Sequence, residues 1–311
     1  MQQKEVDAYV DPADNRPGNA PLPDTEALIF KCRGTSFKLH ERTHIMGILN
    51  LTPDSFHDGG KYRDLDSALR HAGAMIEEGA DIIDIGGEST RPGSAGVTEE
   101  EELRRVIPAI REIRKRFDTA LSIDTTKERV AREALSEGVS IVNDISGLTY
   151  SRGIAEAAAG YGAGIVLMHT PSRPLDMQHR TEYASLIDDI LDSLRRSAGR
   201  ALDAGVGAGS IIVDPGFGFG KTAVQNLTIL KNLGRFRELG FPVMIGTSNK
   251  SFIGGITGGG TEDRLLGTAA TVAIGIMNGA SVVRVHVVAQ MRRVARMADA
   301  VAGKNNGIKK G

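Results

Sequence analysis

Eight short runs of apolar residues, rich in isoleucine and valine, recur along the chain, and each ends in a polar or charged cluster. Such runs are too short for helices of their own, and their composition favours strands that are buried on both faces, as in a parallel sheet. Most neighbouring runs are far enough apart for a crossover helix, so the pattern predicts an α/β protein with a (β/α)8 barrel, the TIM-barrel architecture. The runs are HIMGILN (44–50), DIIDIGGE (81–88), ALSIDTT (120–126), IVNDISG (141–147), GIVLMHT (164–170), IIVDPGFG (211–218), PVMIGTS (242–248) and VVRVHV (282–287).

The polar residues at the ends of these runs are expected near one rim of the barrel. Barrel enzymes carry their active sites at the carboxyl ends of the strands, so this arrangement favours an enzyme. The residues expected there are Asn50, Glu88, Asp124, Asn143, His169, Asp214, Ser248 and Arg284.

The chain has 311 residues, more than the roughly 250 of a typical barrel. Residues 1–27 are rich in Pro, Asp, Asn and Gly, a composition that buries too little apolar surface to become ordered. We therefore expect a disordered N-terminal tail, one barrel domain over 28–303 and a frayed C-terminus over 304–311. The segment at 27–44 predicts a small hairpin that closes the bottom of the barrel, and 100–117 predicts a helix with acidic residues first and basic residues last.

Composition excludes several classes of function. The formal net charge is −1 with 25% charged residues and without a run of like charges, so nucleic-acid binding is not indicated. Cys32 is the only cysteine, which rules out an internal disulfide and a cysteine-rich zinc site. The sequence contains neither the roughly 20 apolar residues of a membrane span nor a secretory signal. We expect a cytoplasmic protein that does not bind membranes.

Three polar, glycine-containing segments at the predicted rim are typical of loops that close over a substrate. Arg91 precedes a proline in one of them, and its planar guanidinium suits an anion. A solvated loop is the plain alternative, but Lys250, Arg284 and His286 at the same rim favour the anion site. The segments are NLTPDSFHDGG (50–60), GGESTRPGSAG (86–96) and TSNKSFIGG (247–255).

Asp124, Asn143 and Asp214 end three different strands of the predicted barrel. Two carboxylates and a carboxamide in one barrel mouth can recognise a flat heterocycle that is rich in N–H groups. The same oxygens could hold a divalent metal ion. Each residue alone could simply cap the following helix, but this explanation is weaker for all three together.

Two motifs are set aside. PGFGFGKT (215–222) looks like a phosphate-binding loop, yet Pro215 stands where that motif requires glycine, so the sequence does not indicate nucleotide binding. The seven histidines lack paired metal-ligand spacing, which makes His169 a packed rim residue rather than a zinc ligand. His286 lies two residues after Arg284, on the same face of the last strand, where it can assist an anion.

Taken in order, the motifs GILNLTPDSFHDGG, DIIDIGGESTRPG, SIDTTK, IVNDISG, VLMH, DPGFGFGK, KSFIG and RVH resemble the bacterial dihydropteroate synthase family over about residues 40–290. The resemblance implies a (β/α)8 transferase of folate biosynthesis. Enzymes of this family condense 6-hydroxymethyl-7,8-dihydropterin pyrophosphate with 4-aminobenzoate, giving 7,8-dihydropteroate and pyrophosphate, and sulfonamides inhibit them by mimicking aminobenzoate. The family commonly forms dimers, so the apolar helical segments at 268–280 and 291–303 are a candidate dimer face.

The resemblance also implies roles for particular residues. Those expected to bind the pterin are Asp124, Asn143, Met168, Asp214, Phe219, Lys250 and Arg284. Those expected to form the 4-aminobenzoate site are Phe56, Thr90, Arg91, Pro92 and Ser251. The pyrophosphate is expected to meet Asn50, Arg91, Arg284 and His286, with Asn50 also binding Mg²⁺. The residues expected to act in catalysis are Asp124, Lys250, Arg284 and His286.

The chain departs from the family pattern in two places. Asn249 stands where family members usually carry arginine, which removes a positive charge beside the expected anion site, and the loop after His169 reads TPSRPLDMQ. A non-catalytic pterin-binding paralogue is therefore one alternative. A pterin-dependent methyltransferase is another, although the STRPG and Lys250–Ser251 segments match the aminobenzoate pattern instead.

Overall fold

The computed structural model describes residues 28–52, 61–91 and 93–304, apart from the side chains of residues 61–64. The predicted tail (1–27) and residues 305–311 lie outside the described residues. Lys304, at the start of the predicted C-terminal segment, is described and pairs with Asp299, with 3.0 Å between Nζ and Oδ1.

The elements alternate between strand and helix for most of the chain. The strands are β1 (Ile29–Cys32), β2 (Thr35–Lys38), β3 (His44–Asn50), β4 (Ile82–Gly86), β5 (Ala120–Asp124), β6 (Ile141–Asp144), β7 (Gly164–Met168), β8 (Ile211–Asp214), β9 (Val243–Ile245) and β10 (Ala280–Val285). The α-helices are α1 (Lys61–Glu78), α2 (Glu99–Arg116), α3 (Glu128–Ser136), α4 (Gly153–Gly160), α5 (Leu186–Asp203), α6 (Ala223–Lys231), α7 (Ser251–Thr257), α8 (Thr261–Met277) and α9 (Val288–Val301). Short 3-10 helices cover Met177–His179, Ala208–Ser210 and Leu233–Leu239.

Strands β3 to β10 form a closed barrel in the order β10-β3-β4-β5-β6-β7-β8-β9, and every neighbouring pair is parallel. Seven of the eight apolar runs contain one of these strands, and the eighth covers the last four residues of β10, so the predicted (β/α)8 barrel is confirmed. Because all eight strands run in the same direction, their carboxyl ends meet at one rim.

The predicted helix at 100–117 is confirmed as α2 and shows why the sequence is helical here. Thr98 caps it by accepting a hydrogen bond from the backbone N–H of Glu101, at 3.2 Å. Four glutamates occupy its first turn and three basic residues its last turn, as the helix dipole favours. Its apolar face, which includes Val106, Ile110 and Ile113, is buried.

The predicted hairpin is also confirmed. Strands β1 and β2 pair antiparallel around Arg33 and Gly34, both of which have positive φ. Phe30 is completely buried and packs on the lower layer of inward-facing side chains of the barrel, so the hairpin closes the bottom. That layer contains Met46, Ile82, Ile141, Val166, Ile212, Met244 and Val282.

Successive side chains of a strand point to opposite faces, so the residue two positions after each member of this apolar layer also points into the barrel. The layer above is therefore partly polar, because it contains Asp84, Asn143 and Arg284.

None of the helices in the described part of the chain has both the length and the apolar composition needed to span a membrane.

Candidate active site

Arg284 links two carboxylates inside the barrel. Its Nε donates to Oδ2 of Asp84 at 2.6 Å, and its Nη2 donates to Oδ2 of Asp124 at 2.7 Å. Asn143 donates from Nδ2 to the same oxygen of Asp84 at 3.0 Å. Four strands thus contribute to one charged network, and only 18% of the Arg284 side chain is exposed.

Above this network lies a cavity with apolar walls and polar groups at its edges. Met168 and Phe219 pack together with Ile145 and Met177 to form one wall. Asn143, Asp214, Lys250 and Arg284 also line the cavity. A site of this kind suits a flat ring that carries hydrogen-bonding groups on its edge.

Burial shifts the pKa values of the ionisable groups at this cavity. It raises the pKa of Asp214 to about 6. It raises the pKa of Asp124 to about 7, against the opposing effect of the positive charge of Arg284. Burial, together with the charge of Arg284, lowers the pKa of Lys250 to about 8. These carboxyl and amino groups therefore exchange protons close to neutral pH, as is common where side chains act on a ligand.

Lys250 and Phe219 are in contact, since Nζ lies 4.0 Å from the centre of the aromatic ring. This is a cation–π distance. It places the ammonium against the wall of the cavity, where it can also reach the edge of a ring bound there.

His286 is held by a neighbouring strand end. Its Nδ1 lies 3.0 Å from Oγ of Ser248, which also accepts from the His286 backbone N–H at 3.3 Å. Burial, and then the positive charges of Arg284, Lys250 and Arg91, lower the pKa of His286 to about 4. The imidazole is therefore neutral at pH 7, and it can assist an anion by donating a hydrogen bond rather than by its charge.

Most of the barrel matches a known family. The model of the pterin binding enzyme family matches residues 46–286. This chain belongs to the pterin binding enzyme family.

Its relatives in that family match over most of their length. The dihydropteroate synthase of Clostridium beijerinckii is 48% identical over 273 residues, which is 88% of this chain and 99% of the relative. A crystal structure of the dihydropteroate synthase of Clostridium difficile with pteroic acid superposes with a TM-score of 0.81 at 45% identity, covering 85% of this chain and 98% of that one. The Xanthomonas albilineans enzyme with 4-aminobenzoic acid gives a TM-score of 0.82 at 39% identity, covering 89% and 98%.

In this pterin binding enzyme, the PGFGFGKT segment is a tight turn built around Lys221. The buried ammonium donates to the carbonyl oxygens of Gly216 and Phe219, both at 2.9 Å. Gly216 has a φ of +75°, and a Cβ on it would lie 2.1 Å from the carbonyl oxygen of His169. Sequence reasoning missed Lys221, because the glycines suggested a phosphate loop while the buried lysine was the informative residue.

The segment that follows β4 is anchored on the outside of the barrel. Glu88, which the sequence places near the rim, pairs with Lys127, and Lys127 also pairs with the buried Glu102 of α2. Oε2 of Glu88 further accepts from the backbone N–H of Val97 at 3.1 Å. Glu88 therefore supports the loop rather than lining the cavity.

The structure brings most of the predicted pterin-site residues together. Asp124 does not line the cavity but accepts a hydrogen bond from Arg284, which does. Asn50 and Asp124 both lie beside Gly86. A Cβ added to Gly86 would be 3.7 Å from Oδ1 of Asn50 and 3.7 Å from Oδ2 of Asp124. Phe56 and Pro92 lie outside the described residues. The residues that line the cavity itself are Asn143, Met168, Asp214, Phe219, Lys250 and Arg284.

The other predicted 4-aminobenzoate residues within the described part of the chain lie at the start of α7 and in the loop after β4. Ser251 is exposed at the first turn of α7. Thr90 is half-buried and Arg91 is exposed, in a loop whose Gly93 N–H donates to the carbonyl oxygen of Pro174 at 3.0 Å. The loops after β4 and β7 therefore meet above the rim.

Asp84 is the second functional residue that sequence reasoning missed. The signal was present, since a charged residue interrupts the apolar run DIIDIGG on the face that also carries Gly86. The prediction considered polar residues at the ends of strands, whereas Asp84 is in the middle of β4.

Proposed function

We propose that this chain is a dihydropteroate synthase. It joins 4-aminobenzoate to 6-hydroxymethyl-7,8-dihydropterin pyrophosphate and releases pyrophosphate. The observation that carries the proposal is the cavity, in which Asn143, Asp214 and Lys250 surround an apolar wall. Relatives named dihydropteroate synthase, which this chain matches over nearly their full length, support it.

The pterin ring is proposed to lie against Met168 and Phe219. Its amino and ring N–H groups would donate to the carboxylate of Asp214 and the amide oxygen of Asn143, because carboxylates accept only and amides both accept and donate. Lys250 would donate to an acceptor on the ring. Arg284 would stack on the open face of the ring.

The pyrophosphate is proposed to lie above Arg284, beside His286, Asn50 and Arg91. Arg284 and Arg91 supply positive charge, and the neutral His286 supplies an N–H donor. Together they would stabilise the negative charge that develops on the leaving oxygen.

We also propose that Mg²⁺ binds with the pyrophosphate at Asn50. The oxygens of Asn50 and Asp124 flank Gly86, and oxygen atoms are the ligands that Mg²⁺ prefers. No cluster of three His, Cys, Asp or Glu side chains suited to a metal occurs among the described residues, which fits an ion held largely by substrate phosphates. The ion would neutralise charge on the leaving group.

The reaction needs charge stabilisation and positioning more than a base. As pyrophosphate leaves, positive charge grows on the pterin methylene, and we propose that the carboxylate of Asp124 stabilises it. The arylamine is nucleophilic when neutral, so it must be held in line rather than deprotonated beforehand. We propose that Thr90, Arg91 and Ser251, with Phe56 and Pro92, hold it, and that sulfonamides compete for the same site.

The protein is further proposed to act as a cytoplasmic homodimer. Helices α8 and α9 expose five large apolar side chains, which favours a subunit contact. These residues are Leu266, Ile274, Met277, Met297 and Val301. Sedimentation of the purified protein at micromolar concentration tests this, and a monomer would contradict it.

The decisive experiment is pyrophosphate release by the purified protein with dihydropterin pyrophosphate, 4-aminobenzoate and Mg²⁺, omitting each in turn. Release that needs both organic substrates, with formation of dihydropteroate, supports the synthase. Pterin binding without turnover identifies a non-catalytic paralogue instead. Methyl transfer from a methylated pterin would point to the methyltransferase.

A further inference from the structure

Asp84 belongs to the same inward-facing layer as Asn143 and Arg284 but does not itself line the cavity of the proposed pterin site. It is in the middle of β4, and its side chain has no exposed surface. Its Oδ2 accepts both from Nε of Arg284 and from Nδ2 of Asn143. One carboxylate oxygen therefore holds two groups that face the cavity and belong to two other strands, β10 and β6.

The two edges of the Arg284 guanidinium have different partners. Nη2 binds Asp124, which is at the rim and 7% exposed, whereas Nε binds the fully buried Asp84. Because the side chain of Asp84 has no exposed surface, a ligand in the cavity cannot reach it. The bond to Asp84 therefore persists when a ligand takes over the outer partners.

We propose that Asp84 is a positioning residue that fixes Arg284 and Asn143 for binding of the dihydropterin pyrophosphate. This inference rests on the function proposed above. Asp84 does not touch the substrate. It orients one cation and one amide, so its removal should weaken pterin binding selectively.

A residue on the neighbouring strand makes it possible to remove the charge of Asp84 while keeping its hydrogen bonds. Ser122 of β5 is level with Asp84 in the β4–β5 pairing. Within the described part of the chain, Oδ1 of Asp84 and Oγ of Ser122 are both buried without a hydrogen-bond partner. An asparagine at position 84 could therefore keep its oxygen on Arg284 and Asn143 and turn its amide group towards Ser122.

The test compares Asp84→Ala with Asp84→Asn in the full chain. Removing hydrogen bonds to a charged group should raise the Kd and the KM for the dihydropterin pyrophosphate about 10- to 100-fold in the alanine variant. The KM for 4-aminobenzoate should stay within about twofold of wild type. The asparagine variant should recover pterin binding to within about fivefold of wild type, because it keeps both bonds.

Asp299→Asn is the matched control. Asp299 is also buried, but its carboxylate accepts from Thr43 and pairs with Lys304 at the bottom of the barrel. This variant should lower the Tm and leave both KM values unchanged. If Asp84→Ala does not fold, Asp84→Ser replaces it, since a serine hydroxyl is too short to reach Arg284.

The outcomes separate the two proposals. A folded Asp84→Ala variant with unchanged Kd and KM for the pterin substrate, and only a lower Tm, would show that Asp84 is merely structural. A wild-type protein that binds the pterin pyrophosphate but releases no pyrophosphate contradicts the proposed reaction. In that case the Kd values of the variants still decide the role of Asp84.

Discussion

Lys221 and His169 form a buried pair at the barrel rim, with 3.1 Å between Nζ and Nδ1. Burial lowers the pKa of His169 to about 2 and that of Lys221 to about 7. His169 is therefore neutral, and its Nδ1 accepts from the lysine. The same Nζ donates to the carbonyl oxygens of Gly216 and Phe219, so one buried amino group connects the loops after β7 and β8.

We predict that Lys221→Met destabilises the protein by about 2–4 kcal/mol, because it removes the donor that binds two buried carbonyl oxygens and an imidazole nitrogen. The Gly216 oxygen still accepts from the backbone N–H of Phe219 at 3.2 Å. Phe219 should also become less well placed, which would raise the KM for the pterin substrate. Urea unfolding and steady-state kinetics measure these effects. Lys221→Arg keeps donors at the site and should lose less stability. Equal stability of the methionine variant and wild type would refute the assignment.

Asp214→Asn should stabilise the ligand-free protein at neutral pH while weakening pterin binding. Oδ1 of Asp214 accepts from the backbone N–H of Gly216 at 2.7 Å, and an asparagine oxygen can keep that bond. Burial raises the pKa of this carboxyl from 3.8 to about 6, so its ionisation works against the fold. The gain should be of the order of 1 kcal/mol.

The pH dependence follows from the sign of this shift. Between pH 4 and about 6 the folded protein binds more protons at Asp214 than the unfolded chain does, so the free energy of unfolding falls as the pH rises. The difference in free energy of unfolding between Asp214→Asn and wild type should therefore grow over this pH range and then level off. Urea unfolding at several pH values checks it. Asp144→Asn is the contrast, because both oxygens of Asp144 accept backbone N–H groups and the variant should lose stability.

The barrel could be predicted because each strand is buried on both faces and therefore appears in the sequence as an apolar run. The cavity residues Asn143, Asp214 and Arg284 could be predicted because parallel strands bring their carboxyl ends together at one rim. It did not predict that Arg284 pairs with Asp84, since contacts across the barrel interior depend on register and side-chain length. Lys221 was missed because the glycines around it suggested a phosphate loop and nothing local in the sequence shows that its side chain turns inward.

Lys127 should control how well the loop after β4 forms the proposed 4-aminobenzoate site. It joins Glu88 of that loop to Glu102, whose side chain is completely buried and whose pKa is raised by burial. Lys127→Met leaves a buried carboxylate without its cation, which should cost about 3–5 kcal/mol of stability. The KM for 4-aminobenzoate should rise more than that for the pterin substrate. The double variant Lys127→Met, Glu102→Leu should regain stability without restoring the KM, whereas equal changes in both KM values would argue against a loop anchor.

Asn249 is exposed beside Lys250 and has a φ of +58°. Asparagine tolerates this left-handed conformation, whereas other side chains with a Cβ are strained there by roughly 1–2 kcal/mol. We predict that Asn249→Arg lowers stability by about 1 kcal/mol but raises turnover, because it adds positive charge beside the proposed pyrophosphate site. Asn249→Gln carries a similar strain without the charge, so it should lose stability and gain no activity. Steady-state pyrophosphate release compares the three proteins, and turnover of the arginine variant no better than wild type would show that Asn249 does not limit pyrophosphate handling.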